Sequence, residues 1–94
     1  MNKYQVQTEL EKKFNELQNN IDTLSERAEN ASEDVKNELV SQIETIKGKR
    51  DEIKNKMNNL KDKSETAWEE MKDGINESFD VLQKSIDKVT AEFK

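Results

Sequence analysis

Apolar residues recur every three or four positions along almost the whole chain: Val6, Leu10, Phe14, Leu17, Ile21, Leu24, Ala28, Ala31, Val35, Leu39, Ile43 and Ile46. After Arg50 they resume at Ile53, Met57, Leu60, Ala67, Met71, Ile75, Phe79, Leu82, Ile86, Val89 and Phe93. Glu, Lys, Asp, Asn and Gln flank this stripe, proline is absent, and only Gly48 and Gly74 weaken the helical pattern. A stripe one or two residues wide at this spacing is the seam of a coiled coil or slender helical bundle.

A straight helix of 94 residues would be roughly 140 Å long and would leave its seam without a partner. Charge indicates where the chain folds back. From Lys47 to Lys63 lie the cations Lys47, Lys49, Arg50, Lys54, Lys56, Lys61 and Lys63, against Asp51, Glu52 and Asp62. From Glu65 to Asp80 lie the acids Glu65, Glu69, Glu70, Asp73, Glu77 and Asp80, against Lys72 alone. A reversal near Ser64 lays these self-repelling blocks side by side as a complementary pair. Asp62 with Glu65, or Thr66 with Glu69, has capping-box spacing for the new helix.

Folding there sets Leu60 opposite Ala67, Met57 opposite Met71, Ile53 opposite Ile75, Ile46 opposite Leu82, Ile43 opposite Ile86, Leu39 opposite Val89 and Val35 opposite Phe93. A second reversal near Asn30–Ser32 does the same for the first third, with Ala28 facing Val35, Leu24 Leu39, Ile21 Ile43, Leu17 Ile46, Leu10 Ile53 and Val6 Met57. Arg50 then falls between Phe14 and Phe79 as a polar core layer, its guanidinium reaching a surface acid or lying over a ring. The expected fold is all-α, a single-domain antiparallel three-helix bundle with helices at about 4–30, 33–62 and 65–93. The segment Glu29–Asp34 has no glycine or proline, so a continuous helix of about 60 residues is an open alternative. Two chains would then make the same layers as a domain-swapped dimer.

Composition narrows the function classes. Hydrophobic residues are 31% and charged residues 39% of the chain, so the core is thin and long, and association is an expected source of stability. The regular stripe argues against a disordered reading. A net charge of −5 disfavours nucleic acid and anionic lipid as partners. No run approaches a membrane span, and the start Met1-Asn2-Lys3-Tyr4-Gln5-Val6-Gln7 has no apolar leader core. A soluble, cytoplasmic protein is the expectation.

Histidine and cysteine are both absent, removing the usual general base, thiolate nucleophile and soft metal ligands. Glu65 with Glu69, and Asp73 with Glu77, share helix faces that read as solvated surface or as weak sites for a hard cation. Two glycines cannot build a phosphate loop. No catalytic residue, cofactor, metal or small-molecule substrate is expected. Lys47-Gly48-Lys49-Arg50 reads as a pairing partner for acids on a neighbouring helix, or as a phosphate contact. Trp68, one position off the seam, either covers the core's end or is an exposed partner contact. Gly74 costs about 1 kcal/mol inside a helix, which points to a close helix approach or a hinge.

The segment Ala67-Trp68-Glu69-Glu70-Met71-Lys72-Asp73-Gly74-Ile75, followed by Phe79 and Leu82, resembles the C-terminal signature of a family of short bacterial coiled-coil proteins with an A-W-x-x-L-K-x-G-V-like segment. Ile21-Asp22-Thr23-Leu24, and Ile43 through Glu52, are similar to its I-D-K-L and E-x-L-x-x-K-R-D-like blocks. The Ala-Trp…Gly segment is the most specific part of a match that covers most of the chain. Family members carry a second tryptophan where this chain has Phe79, and more alanine around 28–36. The resemblance implies architecture and no assigned activity. The tryptophan-x-glycine secretion substrates are also acidic helical hairpins, but Trp68 is followed by Glu69-Glu70.

The functional expectation is therefore a non-enzymatic structural or interaction protein that self-associates, as a homodimer or with another helical protein, through its apolar seam. The alternative is a stress-linked chaperone-like or apolipoprotein-like protein whose seam opens onto clients or lipid.

Overall fold

A computed structural model of the chain, which describes residues 2–92, contains three α-helices: α1 (Lys3–Glu29), α2 (Glu33–Leu60) and α3 (Glu65–Glu92). They pack into a rod of 49 × 17 × 17 Å in which every helix touches the other two. This is the expected three-helix bundle, folded within one chain. The far end of the expected third helix, Phe93, lies outside the described residues.

Local chemistry sets each boundary. The α1 start is a capping box: Gln5 N–H donates to Asn2 Oδ1 at 2.8 Å, and Asn2 N–H donates to Gln5 Oε1 at 3.1 Å. At the other end Asn30 closes the helix with its backbone N–H on the Arg27 carbonyl and its side-chain amide on the Glu26 carbonyl, while Ala31 N–H donates to the Ala28 carbonyl. Ser32 then takes an extended conformation and its carbonyl receives Val35 and Lys36 N–H. The reversal uses no residue with positive φ, which is how a segment without glycine turns.

The second reversal is capped differently from expectation. Ser64, rather than Asp62 or Thr66, opens α3: its Oγ accepts from Ala67 N–H at 3.3 Å and its carbonyl from Trp68 N–H at 3.2 Å.

The core contains Val6, Leu10, Leu17, Ile21, Leu24 and Ala28 from α1, and Leu39, Ile43, Ile46, Ile53, Met57 and Leu60 from α2. From α3 it takes Trp68, Ile75, Phe79, Leu82, Ile86 and Val89. Among the described residues no polar or charged residue is fully buried. Five expected seam members among the described residues depart from this set, with Phe14 and Ala31 only partly buried. Val35 and Met71 are 37% and 42% exposed, and Ala67 is only partly buried.

The cause is rotational drift. At about 100° per residue, a four-residue step overshoots a full turn by roughly 40°, which an alternating three-residue step must cancel. Ala67, Met71, Ile75 and Phe79 are all four apart, so the line swings off the core face. The alternating line through Phe79 and Ile75 passes Lys72 and reaches Trp68, whose ring buries far more area than alanine. On α2 the same rule continues from Leu39 to Lys36 and leaves Val35 outside.

The helices α1 and α3 run parallel. Lys13 Nζ donates to Asn76 Oδ1 at 2.9 Å and Asn20 Nδ2 to Gln83 Oε1 at 3.3 Å, both pairs 63 residues apart, a whole number of heptads. The antiparallel α2 closes the third side, with Lys49 Nζ on Ser85 Oγ at 3.3 Å. Among the described residues no helix is long and apolar enough to cross a membrane.

Candidate interaction surface

Trp68 is 1% exposed, the largest fully buried side chain, and therefore offers no surface to a partner. Of the two expected roles the core one holds: position 68 lies on the core-facing line through Phe79, Ile75 and Lys72, and the exposed contact is corrected. Its Nε1 has no hydrogen-bond partner among the described residues.

The expected polar layer is distributed across three helices. Phe79 is buried, Phe14 packs partly buried against the core, and the Arg50 side chain retains 20% of its exposure. Arg50 occupies a regular seam position between Ile46 and Ile53. Its Nη2 and Nε bind Asp51 Oδ1 at 2.9 and 3.0 Å, and Nη1 donates to Gln18 Oε1 on α1 at 3.1 Å. The stem crosses the apolar layer while the guanidinium reaches the surface, as long basic side chains do. With the Asp51 side chain 60% exposed, the ion pair contributes at most about 1 kcal/mol. From the basic run, Lys49 reaches the Ser85 hydroxyl on α3 and Arg50 the Gln18 amide on α1, neutral groups rather than the expected acids, and the Arg50 ion pair is with its own neighbour Asp51. Among the described residues no three acidic side chains gather as a metal-holding group.

Gly74 does not mark a close approach within the chain. A Cβ there would meet nothing within 4 Å, and α3 runs through it unbroken. The glycine instead borders a groove of about 440 Å³ between α2 and α3, lined by Ile53, Gly74, Ser78 and Val81 and by the charged Lys49, Glu52, Lys56 and Glu77. Val81, 54% exposed, and Met71, 42% exposed, stand along the same side of α3. The line Ala67, Met71, Gly74, Ser78, Val81, Ser85 has alternating four- and three-residue steps, so α3 carries a second regular stripe beside its core seam.

An internal repeat makes this stripe more conspicuous. Phe14-Asn15-Glu16-Leu17-Gln18-Asn19-Asn20-Ile21-Asp22 on α1 aligns with Phe79-Asp80-Val81-Leu82-Gln83-Lys84-Ser85-Ile86-Asp87 on α3. Both copies make the same intrahelical bond, Gln18 to Asp22 at 2.9 Å and Gln83 to Asp87 at 2.8 Å. The core positions agree; the stripe does not. Where α3 has Gly74, Ser78, Val81 and Ser85, α1 has Glu9, Lys13, Glu16 and Asn20. Sequence reasoning from the apolar seam alone passed over the repeat, which was legible in the Phe-x-x-Leu-Gln-x-x-Ile-Asp pattern.

Compared with known proteins, the chain matches no family model, no curated protein and no solved structure.

Proposed function

We propose that this chain is a non-enzymatic interaction module that acts by helix packing and associates with its own copies. The observation that carries the reading is the contrast between a core seam satisfied within one chain and the exposed apolar line of Met71 and Val81 beside the open groove at Gly74. What sets these two apart from the other exposed apolar side chains, Tyr4, Val35 and Val40, is that they share one helix line beside a groove. The acidic balance of 16 basic against 21 acidic residues favours a protein partner over nucleic acid or anionic lipid.

Solution mass across a wide concentration range, combined with small-angle scattering, tests the reading. Association predicts a species of about twice the 11.0 kDa chain mass that grows with concentration. A particle that keeps the monomer mass at millimolar concentration refutes self-association. Scattering also separates two routes. Paired closed bundles stay near the 49 Å length of one bundle, whereas exchange of α1 through a straightened Asn30–Ser32 segment gives a rod of about 90 Å. Liposomes that change helix content or Trp68 fluorescence would favour the lipid-surface alternative instead.

A further inference from the structure

We infer that two chains associate by exchanging α1: α1 and α2 join into one straight helix, and each α1 docks where the other chain's own α1 lies in the closed bundle. This rests on the self-association reading above and names its route. The α1–α2 turn, rather than the α3 line, carries it. That turn is three residues long, Asn30, Ala31 and Ser32, with no glycine, proline or positive φ. Ser32 stands at φ −66° and ψ 156°, so its φ already suits a helix and its ψ alone must swing. Asn30, at φ −98° and ψ 3°, lies beside the helical region. No side-chain bond caps α2 at Ser32. The closed turn leaves carbonyls at the end of α1 and N–H groups at the start of α2 without helical partners, and a straight helix pairs them.

The seam continues through the turn. Ala28 and Leu39, both buried, are eleven residues apart, about three turns with only roughly 20° left over. Straightening therefore carries the core face of α1 into that of α2. Val35, 37% exposed in the closed bundle, falls on the joined face, and Ala31 falls at its edge. Where two such helices cross antiparallel at the turn, Ala28 of each copy faces Val35 of the other, and the layers beyond repeat those of one closed chain. The turn at 61–64 is less suited. Straightening it would centre Ser64 on the joined face and give up the bond from Ala67 N–H to Ser64 Oγ. Acids oppose exchange in dilute solution. Glu29 and Glu33 become like charges four apart in a straight helix, and Glu33 and Asp34 lose their place at the N-terminus of α2. Concentration supplies the opposing drive.

Glu33→Pro separates the two states. Proline suits the first position of a helix, and Ser32 already has the extended backbone that a residue before proline takes. The variant is expected to keep the closed bundle's circular-dichroism signal and melting midpoint. Inside a straight helix the same proline removes a hydrogen bond and clashes with the Glu29 carbonyl, so the association constant is expected to fall at least tenfold. Asn30→Ala with Ser32→Ala is expected to raise it at least tenfold. Spin labels locate α1. The chain has no cysteine, so Asn19→Cys with Glu44→Cys places two labels on exposed positions of α1 and α2. The labelled chain is refolded at millimolar concentration with excess unlabelled chain. Labels within one exchanged chain are expected about 38 Å apart along the helix, against a shorter distance set by the 17 Å width of the closed bundle. A dimer that keeps the shorter distance, with affinity unchanged by Glu33→Pro, overturns the inference and leaves self-association standing. A monomer at all concentrations, in the Asn30→Ala, Ser32→Ala chain as well, overturns both.

Discussion

Trp68 offers the sharpest test of the packing. Its ring is 1% exposed while its Nε1 finds no partner among the described residues, so two opposing terms act at one side chain. Replacing it with alanine removes the whole ring from the core at a cost of about 3–5 kcal/mol. Unfolding entropy of about 2.1 cal/mol/K per residue, over this chain, is roughly 0.2 kcal/mol/K. Trp68→Ala should therefore lower the thermal midpoint by about 15–25 °C. Trp68→Phe behaves differently. It gives up three ring atoms, about 1–2 kcal/mol of burial, and relieves an unsatisfied donor whose desolvation costs about 1–3 kcal/mol. The two nearly cancel, so its midpoint should fall within about 5 °C of the parent. Thermal melts followed by far-ultraviolet circular dichroism decide the matter, with acrylamide quenching of the parent as a companion measurement. Strong quenching with no loss of midpoint in Trp68→Ala would place the ring at the surface and refute the core assignment. Equal losses in Trp68→Ala and Trp68→Phe would show that the indole N–H is bonded after all.

Gly48→Ala should raise stability by about 1 kcal/mol, or about 5 °C in midpoint, because its Cβ meets nothing within 4 Å and alanine is the better helix former; an unchanged or lower midpoint in a melt counts against an unhindered site. Asn2→Ala removes the Oδ1 that holds Gln5 N–H and should cost about 1 kcal/mol, read as faster amide exchange confined to the first turn of α1. Arg50→Leu places an apolar side chain in a regular seam position, and the groups it releases, half-buried Gln18 and exposed Asp51, can rehydrate. Its midpoint should rise by a few degrees while the polar marker of register is lost, so calorimetry should be read beside solution mass; a lower midpoint would show that the guanidinium's bonds outweigh the apolar gain.

The helical seam and the reversal near Ser64 were legible because they depend on many residues at once: some two dozen apolar positions at helical spacing, and the blocks Lys47–Lys63 and Glu65–Asp80, point to the same folding point. In the sequence the reversal at Asn30–Ser32 stays open beside a continuous helix, because Glu29–Asp34 holds no glycine or proline. Single positions were harder. Whether Ala67 or Trp68 faces the core turns on cumulative drift across three four-residue steps, and the sequence offers both. Ser64, Asp62 and Thr66 are all competent caps, and the structure uses Ser64, whose Oγ receives Ala67 N–H. Gly74 could be read as close approach only while its neighbours in space were unknown, and the structure leaves open volume there.

The repeat explains why the surface was less legible than the core. Phe14 and Phe79, Leu17 and Leu82, Ile21 and Ile86 answer to one requirement, a seam against two other helices, so their identity is constrained twice over. The positions beside them answer to whatever lies across the adjoining groove, and that differs between α1 and α3. Across one groove Lys13 and Asn20 find amides on Asn76 and Gln83. Across the other, Ser78 lines open volume beside Gly74, and polar side chains as long as Lys13 would fill it. Along α3 the core code of α1 is kept while Glu9, Lys13, Glu16 and Asn20 give way to Gly74, Ser78, Val81 and Ser85.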